Sequence, residues 1–153
     1  ATGAVPIGAL IVAARTMPLT TVSVLPVAGI LIGGAMTATS LAGRRALDEL
    51  RNRHGEYEAA LALGFLPRDA ALEVCRPTAA QALVPALDQT RTVGLVTLPG
   101  AYVGVLLGGG SAIQAGATQV LVLVALLAVE ATAAAVTVEL VAGGALRRPD
   151  RRP

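Results

Sequence analysis

The sequence contains no lysine and little that is charged or aromatic. All twelve basic residues of the 153-residue chain are arginines, which excludes a phosphate-binding-loop lysine, a Schiff-base lysine and a Ser-Lys dyad. Tyr57, Tyr102 and Phe65 are too few aromatic residues to anchor the core of an ordinary soluble domain. Charged residues make up 14% of the chain, against about 25% in a typical soluble domain, so the composition favours a membrane protein.

Cysteine and histidine are equally scarce, because Cys75 and His54 are the single residues of each kind. This excludes an internal disulfide and a zinc cluster of the usual kind. Nothing near Cys75 in the sequence would activate its sulfur, so we interpret it as a passive thiol. The net charge of +2 is not accompanied by interleaved basic and aromatic residues, and we therefore expect no nucleic-acid partner.

Long apolar runs occupy most of the chain, whose mean hydropathy is +0.69. A membrane-spanning helix needs about 20 mostly apolar residues. Residues 20–42 and 92–113 contain no charge, and residues 112–142 contain only two glutamates. A further run, residues 1–14, is too short to span the membrane unless other residues precede it. Because the chain also opens inside that run, we expect it to be a fragment of a protein with further N-terminal spans.

The arginines cluster in two polar stretches that alternate with the apolar runs. Ten of the twelve lie there: Arg44, Arg45, Arg51, Arg53, Arg68 and Arg76 in the middle of the chain and Arg147, Arg148, Arg151 and Arg152 at its end. Basic residues gather on the cytoplasmic side of membrane proteins. We therefore predict an all-α, polytopic protein of the inner (plasma) membrane, with about three to four transmembrane helices in this sequence.

The same pattern predicts how the chain is divided. Residues 1–43 would hold two transmembrane segments, the first of them partial. Residues 44–79 would form a cytoplasmic stalk and coupling helices. Residues 80–142 would hold two more transmembrane segments, the first broken at residues 99–100, and residues 143–153 would form a cytoplasmic tail.

Residues 44–63 carry an amphipathic helical pattern that continues the preceding apolar helix. Its apolar stripe consists of Leu47, Leu50, His54, Tyr57 and Leu61, at spacings of three and four. His54 is better explained on this stripe as a packed or interfacial residue than as a ligand. We expect Gly64 to end this helix as a C-terminal cap, and Pro67 to begin a short second helix over residues 68–75 that Pro77 stops.

The apolar run over residues 92–113 is interrupted by Pro99 and Gly100, which predicts a broken membrane helix. Broken helices are tolerated at membrane depth where they are buried in protein or line a water-filled cavity, as in transporters. A simple kinked helix is the alternative. Asp88 and Arg91 lie one helical turn apart at the start of this segment, where they form either a gate or a solvated pair.

Two features inside the apolar runs predict contacts at membrane depth. Gly29 and Gly33 form a small-residue pair that would let helices approach closely. Glu130 lies near the middle of the last run, where a charge costs about 3 kcal/mol on insertion scales. Its carboxyl must therefore be protonated, paired or in contact with water. A place on a translocation path and a neutral, hydrogen-bonded structural role both fit Glu130.

The coupling segment, residues 54–77, contains Glu58-Ala59-Ala60, three residues, Gly64, nine residues, Val74 and Pro77. This spacing resembles the EAA loop of ABC transporter permeases, with Val74 in place of Ile and Arg76 in place of Leu. The resemblance implies that a short cytoplasmic helix docks in a groove of a separate ATPase, which binds the ATP. The residues it assigns to ATPase coupling are Glu58, Ala59, Ala60, Gly64, Pro67 and Pro77.

A second resemblance covers most of the chain. The stretches VLPVAGILIGGAMTATSLA, LALGFLPRDAA and ALVPALDQTRTVGLVTLPGAYVG are similar to the FetB-type permeases, the membrane subunits of an iron-export ABC transporter related to plant permeases linked to aluminium tolerance. The matching residues are Pro26, Gly29, Gly33, Met36, Pro85, Asp88, Arg91, Val93, Gly94, Leu95, Val96, Leu98, Pro99 and Gly100. Departures from that pattern occur at Gly34, Ala101, Tyr102, Thr118 and Glu130, and the lost Met pair at 101 and 102 leaves the metal open.

The resemblance implies a homodimeric permease that exports iron or another metal ion and is driven by a separate ATPase. The chain itself would be no enzyme, would hold no cofactor, and would place Asp88, Arg91, Pro99, Gly100 and Glu130 near a translocation path, with no metal ligand assigned. A non-transporting membrane scaffold or regulatory subunit is the main alternative. An intramembrane enzyme using Glu130 is a second, although this chain offers no other polar catalytic group at depth.

Overall fold

The computed structural model of the protein describes residues 21–92 and 100–146. These residues form six α-helices and no β-strand, which confirms the all-α prediction. The helices are α1 (Thr21–Asn52), α2 (His54–Ala62), α3 (Pro67–Ala82), α4 (Val84–Thr92), α5 (Gly100–Leu107) and α6 (Ala112–Ala142). The first, partial membrane segment and the arginines of the tail lie outside the described residues.

Two of the described helices are long and apolar enough to cross a membrane. They are the part of α1 over Val27–Asn52 and the whole of α6, Ala112–Ala142. The first of the two segments predicted within residues 80–142 is represented among the described residues by α4 and the short α5. Residues 93–99, including Pro99, lie outside the described part, so the predicted break at 99–100 stays a prediction.

The helices α1 and α6 pack against each other along their length, and α3 packs against both near one end. The core where these three helices meet consists of Ala42, Ala46, Cys75, Ala82, Ala134, Val138 and Val141. A second cluster, Leu31, Ala125 and Val129, continues the α1–α6 contact towards the other end. Small side chains dominate the first cluster, which allows close approach of the helix backbones.

A capping box begins α6 directly after the glycine-rich turn at residues 108–110. The Ser111 hydroxyl accepts the Gln114 backbone N–H at 3.2 Å, and the Gln114 side chain accepts the Ser111 N–H at 3.0 Å. The two bonds satisfy two backbone donors that a helix start would otherwise leave unpaired. The helix α6 therefore has a defined start after this turn.

The predicted stalk helix over residues 44–63 is interrupted at Arg53, so the prediction of one continuous helix is wrong there. Arg53 leaves the helical region with φ −109° and ψ 31°. Its guanidinium is held instead by Glu56, with Nε donating to Oε1 at 2.8 Å. Gly55 adds to the break because glycine disfavours a helix by about 1 kcal/mol relative to alanine.

The second helix of the coupling segment is also longer than predicted, because α3 runs from Pro67 through Pro77 to Ala82. Proline in a helix interior removes one hydrogen bond and crowds the preceding turn. Pro77 is exposed, however, while Cys75, Thr78 and Ala82 are buried on the packed face before and after it. Tertiary packing on both sides of Pro77 therefore keeps the helix intact, which corrects the prediction that Pro77 stops it.

Candidate coupling segment and membrane carboxyl

The turn between α2 and α3 is built around Gly64. Its φ is +90°, in the left-handed region that only glycine adopts without strain. The Gly64 N–H donates to Leu61 O at 2.9 Å and the Phe65 N–H to Ala60 O at 3.1 Å, the bonding pattern of a Schellman cap. Gly64 thus ends α2 as predicted, and Pro67 occupies the first turn of α3 as predicted.

The coupling segment presents its motif on the surface. The helix α2 has no buried residue, and Glu58 and Ala59 are exposed while Ala60 is half-buried. The turn that follows exposes three large apolar side chains, with Leu63 at 80%, Leu66 at 69% and Phe65 at 49% relative exposure. An exposed apolar turn at the end of a surface helix is a feature that a protein partner can cover.

Polar contacts fasten α3 to both long helices. At its start, Arg68 Nη2 lies 2.5 Å from Glu139 Oε2 on α6. At its end, Arg45 Nη1 on α1 donates to Gln81 O at 2.7 Å. Between them, Cys75 Sγ lies 3.6 Å from Ala46 O. The coupling segment is therefore connected through α3 to α1 and α6 at several points.

An open groove of about 530 Å³ lies between α1, α2, α3 and the end of α6. Its lining includes Leu47, Leu50, His54 and Tyr57, four of the five residues of the predicted apolar stripe. The stripe therefore lies on one face despite the break at Arg53. His54 has a largely exposed side chain whose Nδ1 lies 3.4 Å from Glu58 Oε1.

Three ionisable groups in this part of the protein, Arg53, Glu56 and Cys75, have shifted pKa values. The hydrogen bond from Arg53 lowers the pKa of the exposed Glu56 carboxyl. Burial, with a smaller contribution from Glu49, raises the pKa of the Cys75 thiol to about 11. Cys75 is fully buried in the helix junction, so its environment fits the predicted passive thiol.

Glu130 is buried on α6 against α1, with 8% relative exposure. Gly34 lies opposite it: a Cβ there would collide with the Leu126 side chain and lie 2.8 Å from Glu130 Oε1. The carboxyl therefore occupies space that the missing side chain leaves.

Gly29 and Gly33, the pair expected to pack closely, have no described atom within 4 Å of the equivalent position. Close packing at that pair stays a prediction.

The other residues of the predicted translocation path lie in different surroundings. Asp88 and Arg91 are both exposed on α4, and Gly100 begins α5. Pro99 lies outside the described residues. Within residues 27–91 and 100–146, no three His, Cys, Asp or Glu side chains form a cluster that could hold a metal ion.

The sequence itself matches a known membrane-protein family over nearly its whole length. The family described as "Uncharacterised protein family (UPF0014)" matches residues 1–144. The chain belongs to this family. Together with the two long apolar helices, membership makes the UPF0014 chain a membrane protein. No solved structure matches it.

Several curated proteins are similar to the UPF0014 chain. The UPF0014 membrane protein STAR2 of Oryza sativa subsp. japonica is 40% identical over 115 residues, 75% of this chain and 40% of that protein. Protein ALUMINUM SENSITIVE 3 of Arabidopsis thaliana is 38% identical over 114 residues, 74% of this chain and 42% of that protein. The probable iron export permease protein FetB of Escherichia coli is 29% identical over 119 residues, 78% of this chain and 46% of that protein.

The UPF0014 chain thus spans less than half the length of the relatives it matches. STAR2 is a membrane protein by name, and the E. coli relative is named a probable iron export permease. The FetB-type resemblance is confirmed at the level of the family, while the FetB protein itself is a more distant relative than the two plant proteins.

The Arg68–Glu139 contact and the space at Gly34 were not found from the sequence. The carboxyl and guanidinium lie 71 positions apart, and neither belongs to the EAA spacing. The four-residue spacing of Gly29 and Gly33 predicted a close helix contact at that pair instead of at Gly34. Only the rotation of α1 against α6 decides which glycine is at the contact, and no sequence motif encodes that rotation.

Proposed function

We propose that the chain is part of the permease subunit of an ABC transporter that exports a metal ion such as iron, driven by a separate ATPase that binds residues 54–77. The observation that carries this proposal is the form of the coupling segment. An EAA motif lies on a surface helix without buried residues, and that helix ends in an exposed apolar turn. The name of the E. coli relative, a probable iron export permease, supports the cargo and the direction.

In this proposal the coupling segment and the C-terminal tail face the cytoplasm. The ATPase covers Leu63, Phe65 and Leu66, which removes exposed apolar surface from water. A soluble domain that grips an exposed helix and turn can displace them as a unit when it closes on ATP. The ATP is bound and hydrolysed by that partner, and two permease copies form the membrane part.

The contacts of α3 support a mechanical route from the ATPase to the membrane. The Arg68–Glu139 pair joins the first turn of α3 to the last turns of α6. The Arg45–Gln81 hydrogen bond joins the last turn of α3 to α1. A displacement of the α2–α3 turn is therefore passed to both long helices, whose relative motion would open the path to either side.

The test uses the full-length permease, co-expressed with a candidate ABC ATPase from the same organism. Glu58→Lys reverses the charge of the EAA motif and should reduce the amount of ATPase that co-purifies. Glu73→Lys is the matched control, because Glu73 is exposed on α3 at a position that the motif leaves open. Retention of the ATPase by Glu58→Lys at the wild-type level would contradict the proposed docking surface.

The cargo is tested separately in the reconstituted complex. ATP turnover should rise with iron or another transition-metal ion and not with calcium or magnesium beyond what ATP itself requires. An ATPase that binds the permease but responds to no metal ion would leave docking intact and exclude metal export. A permease with no ATPase partner would favour the scaffold alternative.

A further inference from the structure

Glu130 combines burial with the absence of a described partner. It lies about 18 Å along α6 from the helix end at Ala142, well inside the apolar span. Among the described residues, none donates a hydrogen bond to its carboxyl or places a charge beside it. Such a group in an apolar span marks a functional site by default, because an unpaired charge there is costly.

Within residues 21–92 and 100–146, the helices around Glu130 offer no counter-charge. The helix α1 carries no ionisable residue over residues 27–43. On α3 the charged residues are Arg68, Asp69, Glu73 and Arg76, all exposed, and Arg68 binds Glu139; on α4 they are Asp88 and Arg91, also exposed. Cys75 of α3 and Tyr102 of α5 contribute a thiol and a phenol rather than a charge.

Gln119 places a second polar group on the same face of α6. Eleven residues separate it from Glu130, so the two lie within about 20° around the helix axis and about 16 Å along it. The Gln119 Oε1 atom is buried and has no hydrogen-bond partner within the described part of the chain. An acceptor left unpaired costs about 1–3 kcal/mol. We therefore expect this face of α6 to contact polar groups such as water.

The chemistry at Glu130 suits a proton better than a resident metal ion. Metal ions bound by carboxylates need several oxygen ligands, and no cluster of three acidic, His or Cys residues exists among the described residues. A single carboxyl packed against Gly34 is stable in an apolar contact as the neutral acid. Once water reaches it, the acid can pass its proton to water and become a carboxylate.

We propose that Glu130 is a proton-exchanging carboxyl at the α1–α6 contact. It carries a proton while α1 and α6 are closed on it, and releases that proton to water when the helices part. The carboxylate then attracts the exported cation. When the cation leaves, the carboxylate takes up a proton from water and becomes the neutral acid again. The role in transport rests on the proposed function, whereas the proton exchange itself does not.

The first test is labelling of the full-length permease in lipid nanodiscs with dicyclohexylcarbodiimide, an electrophile to which protonated carboxyls in apolar sites add. Peptide mass spectrometry should find the label at Glu130, with severalfold more in acidic than in alkaline buffer. The half-exposed Glu139 should remain unlabelled. No label at Glu130, or a label that does not respond to pH, would overturn the proposal.

The second test compares Glu130→Gln with the wild type in the reconstituted complex. Glutamine keeps the shape and hydrogen-bonding capacity of the acid but cannot exchange a proton. The proposal expects a normally folded variant, judged by its thermal midpoint, whose transport has lost its dependence on pH. A variant with the wild-type pH profile would show a structural role and overturn the proposal. Labelling at Glu130 in a permease without an ATPase partner would instead refute the proposed function and leave the proton exchange standing.

Discussion

Arg68 and Glu139 form an ion pair between the first turn of α3 and the end of α6, with 2.5 Å between Nη2 and Oε2. Their side chains are 55% and 50% exposed, so solvent screens the attraction. Exposed pairs of this kind contribute about 0–1 kcal/mol to stability. The contact is therefore better suited to hold two elements in register than to stabilise the fold.

This gives the first prediction, for Glu139→Gln in the full-length complex. The thermal midpoint should change little, because the lost pair is worth less than about 1 kcal/mol. Metal-stimulated ATP turnover should fall severalfold while the ATPase still binds. Arg76→Gln, on the exposed side of the same helix, should behave as wild type. Restoration of turnover by the double reversal Arg68→Glu with Glu139→Arg would assign the effect to the pair.

The second prediction concerns the turn at Gly64. An alanine held at φ +90° is strained by about 1–2 kcal/mol. Gly64→Ala should therefore distort the α2–α3 turn and weaken ATPase co-purification without affecting insertion in the membrane. Gly55→Ala is the matched control, since Gly55 lies in α2 with open space around it and an alanine there favours the helix. Equal ATPase binding by the two variants would contradict the role of the turn.

The third prediction concerns Cys75. Its pKa is raised from an ordinary 9.0 to about 11, so the thiolate fraction at neutral pH falls about a hundredfold. Because the thiolate is the nucleophile, N-ethylmaleimide should react slowly with the folded protein at neutral pH and faster as the pH rises towards 11. Denaturation in dodecyl sulfate should remove the difference. Rapid labelling of the folded protein at neutral pH would show that Cys75 is accessible.

The fourth prediction compares two adjacent glycines of α1. Gly34→Ala places a methyl group against Leu126 and Glu130, and overpacking of this kind costs about 1–3 kcal/mol. Gly33→Ala meets no described atom and should be neutral or slightly stabilising. Thermal midpoints in detergent measure both variants. A lower midpoint for Gly33→Ala than for Gly34→Ala would mean that another helix or a second copy packs at Gly33.

The fifth prediction follows from the course of α3 through Pro77. Replacement by alanine restores a backbone donor one turn after Glu73 and relieves crowding, which can contribute up to about 3 kcal/mol. Pro77→Ala should therefore raise the thermal midpoint. If Pro77 ended the helix in the folded protein, the substitution would instead leave the midpoint unchanged or lower it.

Residue type alone predicted the features that depend on local chemistry. Apolar runs with few or no charges predicted the long helices α1 and α6, because each run is long enough to span a bilayer. Gly64 and Pro67 marked the end of one helix and the start of the next, because each residue has a backbone preference that few contacts override.

Features that depend on packing were not predictable in the same way. Pro77 breaks an isolated helix, yet the buried residues before and after it hold α3 together against α1 and α6. Arg53 interrupts the helix, although the apolar stripe is continuous in the sequence. The partner of Arg68 and the glycine opposite Glu130 depend on how helices far apart in sequence are placed, which periodicity does not contain.

The length of α1 determines how far its end moves when the helix tilts about its contact with α6. Its 32 residues form a rod of about 48 Å, longer than the roughly 30 Å of hydrocarbon in a bilayer. Gly34 touches α6 about 27 Å from the end at Asn52, so a swing of about 10° around that contact displaces Asn52 by roughly 5 Å. In the proposed mechanism, a pull of a few ångströms by the ATPase would therefore be enough to reorient the whole helix, with a much smaller movement where Glu130 lies.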